Sequence, residues 1–132
     1  MTLLPSGART AAGNGDLLDL SQFERADRTD EIQFLMPPML RAQLDVTAVS
    51  GTATPTLTML IEDSVDGVNY NTVGTFANAT AVSRTVINIG IRGDANPAGF
   101  AWPFNHRKIR VRWTMTGNTP SFTCSVKGQL LP

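Results

Sequence analysis

From residue 39 onward the chain alternates apolar and polar positions. Leu40, Ala42, Leu44 and Val46 are interleaved with Arg41, Gln43, Asp45 and Thr47, and Leu57, Met59 and Ile61 with Thr58 and Glu62. Ile109, Val111, Trp113 and Met115 alternate with Arg110, Arg112 and Thr114, and Phe122, Cys124 and Val126 with Thr123, Ser125 and Lys127. A period of two places successive side chains on opposite faces, so each run predicts a strand with one face on a core. Trp113, between Val111 and Met115, falls on the inward face. Val82, Val86, Ile87, Ile89 and Ile91 supply β-branched mass for a further strand between Ala81 and Ile91.

Glycine, proline, asparagine and serine bound these runs. Asp66-Gly67 lies between Ile61 and Tyr70, which predicts a hairpin over residues 57–76 with Val73 and Phe76 in the returning strand. Gly51 and Pro55 separate one pair of runs, and Gly117 and Pro120 separate another. The two punctuated stretches are alike, Gly51-Thr-Ala-Thr-Pro55-Thr-Leu-Thr58 against Gly117-Asn-Thr-Pro120-Ser-Phe-Thr123. A worn internal duplication and convergent hairpin chemistry both account for this, with the second preferred. The expected fold is all-β: an antiparallel two-sheet β-sandwich of about six to eight strands.

Residues 1–38 carry no such pattern and are expected to form an extended N-terminal arm, with residues 39–132 as the sandwich domain, able to fold without it. Gly7, Gly13 and Gly15 make the start of the arm permissive. The run Glu24-Arg25-Ala26-Asp27-Arg28-Thr29-Asp30-Glu31 reads as a solvated loop or a helical turn capped by Ser21, and Pro37-Pro38 closes the segment. Leu3, Leu4, Leu17, Leu18 and Leu20 are apolar anchors that linkers normally lack, so they are candidate partner-binding residues. Phe100 and Trp102, near Phe104 after the loop Arg92–Gly99, are candidates on the body, to be weighed against a buried plug.

Composition narrows the function. Charged residues make up 17% of the 132-residue chain, below the ~25% usual for soluble domains, which fits a surface that partly faces protein. Eleven basic and eleven acidic residues cancel, which argues against nucleic acid or a polybasic membrane contact as partner. Nine arginines stand against two lysines, Lys108 and Lys127; interface use and arginine-rich codon usage explain that ratio equally well. No run approaches the ~18 apolar residues of a membrane span.

Chemistry is sparse. The single histidine, His106, sits beside Arg107 and Lys108 without a partner for metal or nucleophile activation. The single cysteine, Cys124, lies on an apolar strand face and reads as a buried thiol. Asp63-Ser64-Val65-Asp66-Gly67 lacks the spacing of a calcium loop, and its Asp-Gly is explained by the turn. No catalytic, metal or cofactor residue is therefore assigned, and the expected protein is not an enzyme.

Several stretches carry a resemblance. Leu44-Asp-Val-Thr-Ala-Val-Ser-Gly-Thr-Ala-Thr-Pro-Thr-Leu-Thr58, Ile61-Glu-Asp-Ser-Val-Asp-Gly-Val-Asn-Tyr70, Ile109-Arg-Val-Arg-Trp-Thr-Met-Thr-Gly-Asn-Thr-Pro-Ser-Phe-Thr123 and the opening Leu4-Pro-Ser-Gly-Ala-Arg-Thr10 resemble small virion proteins of tailed bacteriophages, especially capsid decoration (cement) or minor head proteins. Residues 21–38 do not match that pattern. The resemblance implies a β-sandwich, often a homotrimer, made in the host cytoplasm. It would bind the major capsid protein on the virion's outer surface and stabilise the shell. A tail or head–tail component, and a carbohydrate-binding β-sandwich using Trp102, are the alternatives.

Overall fold

The computed structural model describes residues 1–19, 39–64, 66–90 and 108–131. Among them seven strands form one antiparallel sheet, and no helix occurs. The strands are β1 (Thr2–Arg9), β2 (Gly13–Asn14), β3 (Leu18–Asp19), β4 (Met39–Ser64), β5 (Asn71–Thr75), β6 (Ser83–Gly90) and β7 (Lys108–Leu131). All the alternating runs lie in strands. The two longest strands, β4 and β7, pair from Met39↔Leu131 to Ser64↔Lys108 and so form the axis of the molecule. β1, β2 and β3 flank β7, while β5 and β6 flank β4. The predicted hairpin is present, with Leu60↔Thr75 and Asp63↔Asn71 in register across the Asp66 turn.

The two-sheet sandwich expected from the pattern resolves into a single hydrogen-bonded ladder. The reason lies at the two Gly-Pro stretches, which are not chain reversals. Both strands continue through them, and the stretches pair with each other through Thr52↔Asn118. Between Val46↔Cys124 and Thr56↔Thr116 the register shifts three times. Gly51 (φ 120°), Ala53 (60°), Thr54 (53°), Gly117 (112°) and Thr119 (46°) all adopt left-handed backbone there. A Cβ on Gly51 would lie 3.0 Å from the Asn118 carbonyl oxygen and from Pro120 Cα. One on Gly117 would lie 3.0 Å from Pro55 Cα. Each glycine therefore packs on the opposite strand's proline stretch, at a position where a larger residue would press on backbone and strain the left-handed conformation.

This corner changes the phase of burial. On β4 the buried positions are Leu40, Ala42, Leu44 and Val46 before it and Leu57, Met59 and Ile61 after it. On β7 they are Ile109, Val111 and Trp113 before and Phe122, Cys124 and Val126 after. An undisturbed strand would keep its parity, so the irregular residues absorb an odd step that returns both halves to one core. All these side chains belong to a single hydrophobic cluster. The two halves also touch directly: a Cβ on Gly74 of β5 would come within 2.6 Å of Ile89 and 2.9 Å of Ile87 on β6.

The expected arm needs correcting over the residues described. β1 pairs with β7 from Thr2↔Lys127 to Arg9↔Phe122, and Leu3 and Leu4 are 2% exposed within the core. The Met1 amino group donates to the Gly128 carbonyl at 2.8 Å. Burying two leucines and satisfying one edge of β7 holds this segment on its own body, so the boundary at residue 38 does not divide arm from body there.

Trp113 ties the segment down further. Its Nε1 donates to the Ala11 carbonyl at 2.9 Å, the Arg9 guanidinium lies 5.0 Å from its ring centroid, and a Cβ on Gly13 would sit 2.7 Å from its ring. Trp113→Ala is expected to cost ~3–5 kcal/mol in urea melts, and a change below about 1 kcal/mol would contradict this packing. At the corner, Thr54→Gly should raise the urea midpoint by relieving a β-branched residue in left-handed backbone. Gly117→Ala should lower it, with a loss of more than about 1 kcal/mol in unfolding free energy, and the opposite signs would refute the strained corner.

Candidate functional site

The outward face of β1, β7, β4 and β6 carries a shallow depression of about 670 Å³. Alternate residues such as Asp45 and Thr47, and Ser125 and Lys127, point into it together, and the core residue Val46 and its ladder partner Ser83 complete the lining. Thr2, Ser6, Thr47, Ser83 and Ser125 contribute hydroxyls, while Asp45, Arg84 and Lys127 contribute charge. Asp45 lies opposite Arg84 on β6 and Ser125 on β7. Arg84 Nε donates to Asp45 Oδ1 at 2.5 Å, and Gln43 Nε2 donates to Oδ2 at 2.9 Å. The Arg84 hydrogen bond, followed by that from Gln43, holds the Asp45 carboxyl below its ordinary range. Val82 and Val86, at 65% and 41% exposure, provide apolar surface along β6.

The corresponding face beyond the corner is closed. Glu62, 4% exposed, accepts from Arg110 Nε at 2.8 Å and Arg112 Nη1 at 3.3 Å. Arg110 stacks on the Tyr70 ring, 3.3 Å from its centroid, and the Tyr70 hydroxyl donates to the Gly67 carbonyl. Asp66 Oδ1 accepts from the Val68 and Asn69 amides at 2.8 and 2.7 Å, which lowers its pKa. These carboxylates thus serve the turn and the strand pair, with every contact named here directed at holding the fold.

The candidate partner residues do not come together as one surface. Leu3 and Leu4 are core residues, so they are withdrawn as partner anchors. Leu18 is half-buried against the core, and Leu17 is 41% exposed. Leu20, Phe100 and Trp102 lie outside the described residues, as do His106 and the charged run 24–31. Cys124 is buried and its thiol is pushed up by desolvation, the opposite of an activated nucleophile. Among the described residues no His, Cys, Asp or Glu cluster is placed to hold a metal ion. No helix among them is long and apolar enough to cross a membrane. The depression itself was missed in the sequence; only the polar phase of the period-two runs, once register is known, assembles it.

Compared with protein-family models, curated proteins and solved structures, the chain matches none.

A depressed carboxyl pKa fixes the sign of a pH effect. Asp45 contributes its stabilisation fully above the unfolded-chain value of about 3.9 and loses it as pH falls through the lower folded value. Because Arg84 is largely exposed, Asp45→Asn should cost only ~0.2–1 kcal/mol near pH 7, fading as pH falls below the unfolded-chain value of about 3.9. Urea midpoints measured from pH 7 to pH 2 check this, and a deficit that grows on acidification would contradict it.

Proposed function

We propose that the protein is a structural virion component, a capsid decoration protein that binds the major capsid protein on the outer shell and stabilises it, acting as a homotrimer. The observation that carries this reading is the contrast between interior and surface. The one cysteine is sealed in the core, whereas an open strand face offers hydroxyls together with Asp45, Arg84 and Lys127, bordered by Val82 and Val86. Such a face suits packing against other protein better than turnover of a substrate. The resemblance to tailed-bacteriophage decoration and minor head proteins points the same way.

In this reading the bent sheet serves as a two-layered sandwich, with its halves as the layers. The contact surface is the outward face beside β6, where Val82 and Val86 are exposed, because Leu3 and Leu4 are committed to the core. A tail or head–tail position would use the same face.

The depression supports a second reading, carbohydrate binding. Its volume falls in the range of small-ligand sites, ~300–1,000 Å³, and its lining offers five hydroxyls with Asp45, Arg84 and Lys127. Binding to a glycan array that is lost in Lys127→Ala would favour this reading.

The double variant Val82→Ser, Val86→Ser tests decoration. It should melt like the parent yet lose at least about tenfold in co-sedimentation with shells lacking the protein, the ~1.4 kcal/mol equivalent of two truncated apolar contacts. Undiminished co-sedimentation would remove this face from the contact.

A further inference from the structure

The strand pairing repeats itself. In chain order the first set is β1, β2–β3 and β4, and the second is β5, β6 and β7. β1 pairs with the C-terminal half of β7, and β5 with the C-terminal half of β4. β2 and β3 pair with the N-terminal half of β7, and β6 with the N-terminal half of β4. Exchanging β4 with β7 therefore exchanges every flanking strand with its counterpart.

The spacing obeys the same exchange. β5 begins at residue 71 where β1 begins at 2, and β6 at 83 where β2 begins at 13. Ladder partners correspond too: Val46↔Ser83 matches Trp113↔Gly13, and Ile61↔Gly74 matches Val126↔Leu4. Even the irregular part agrees. The Phe76 amide donates to Met59, and Leu57 bridges Ala79, continuing the path of β5 much as β1 continues to Arg9↔Phe122. At the centre, Gly51 packs on Asn118 and Pro120 while Gly117 packs on Thr52 and Pro55. Reciprocal contacts of this kind, i to j and j to i, are the mark of a two-fold, isologous contact.

We infer that the chain is a tandem repeat of one three-stranded unit, and that the β4–β7 ladder is the interface between the two copies. The partner of each unit is another copy of that unit, here supplied by the same chain. The turn from Ser64 to Asn71 is the fusion point. Its two-fold counterpart is the break between β7 and β1, where Met1 and Gly128 exchange both backbone hydrogen bonds, at 2.8 and 2.9 Å. Chemistry has diverged on the outward faces: Asp45 opposite Arg84 occupies the place of Arg112 opposite Asn14. The open depression and the closed Glu62 cluster are thus two versions of one surface. This inference rests on the pairing alone and stands or falls independently of the decoration reading.

Two forms of the full chain test it. The first is a circular permutant opened between Asp66 and Gly67, with the native ends joined by linkers of about four to ten residues, a reach of up to roughly 30 Å. It should keep a cooperative urea melt and the near-ultraviolet signature of Trp113. A permutant opened between Thr52 and Ala53, on the two-fold, should not fold. The second is the intact chain with a protease site inserted in the Asp66–Asn69 turn and cleaved after folding. Its pieces should elute as one particle, part only in denaturant, and regain the melt on remixing. Failure of the Asp66 permutants at every linker length, cleaved pieces that separate without denaturant, or one piece melting cooperatively as a monomer would each overturn the inference.

Discussion

The pairing of β4 with β7 across a shared corner governs the rest of this structure. Each strand is long enough to serve both halves of the molecule, so neither half owns its central strands. The ladder carries core residues on both sides of the corner, from Leu40 and Val126 at one end to Ile61 and Ile109 at the other. The bend that unites them requires left-handed backbone at Ala53, Thr54 and Thr119, residue types that disfavour it. Such strain, on the order of 1–3 kcal/mol per residue, persists only where surrounding contacts impose it. Here two glycines set against two proline stretches do so.

Much of this was legible in the sequence, and the failures have physical causes. Period-two alternation located the four runs that make up β4 and β7, β-branched content located β6, and Asp66-Gly67 located the hairpin, because half-burial and turn chemistry are local signals. The corner was misread because Gly51, Pro55, Gly117 and Pro120 are equally suited to a reversal and to a bulged bend. Only pairing distinguishes the two. β1 was missed because Leu4-Pro5-Ser6-Gly7 lacks β-branched residues and carries a proline and a glycine. That composition is tolerated at an edge strand, where one side of the backbone needs no ladder partner. By sequence its leucines look like anchors for another chain, but the apolar surface they cover is their own.

The polar face shows the same division between local and long-range information. Arg84 and Asp45 are separated by 39 residues, and Arg110 and Glu62 by 48, so neither pair is visible before the register is set. Once set, the register explains why one face is open and the other closed: Tyr70 and the Asp66 turn cover Arg110 and Glu62, whereas short hydroxyl side chains leave the Asp45 region uncovered. The depression follows from which side chains line the strand face, not from a separate loop structure.

Native-state hydrogen exchange tests most directly the claim that the β4–β7 ladder makes one cooperative body. Amides of Leu44 and Val126 on one side of the corner, and of Met59 and Val111 on the other, should exchange with the same free energy of opening. That value should match global unfolding measured in urea. If the amides on one side opened at markedly lower free energy while those on the other stayed protected, the halves would be separate folding units, and the shared ladder would not be the basis of the fold.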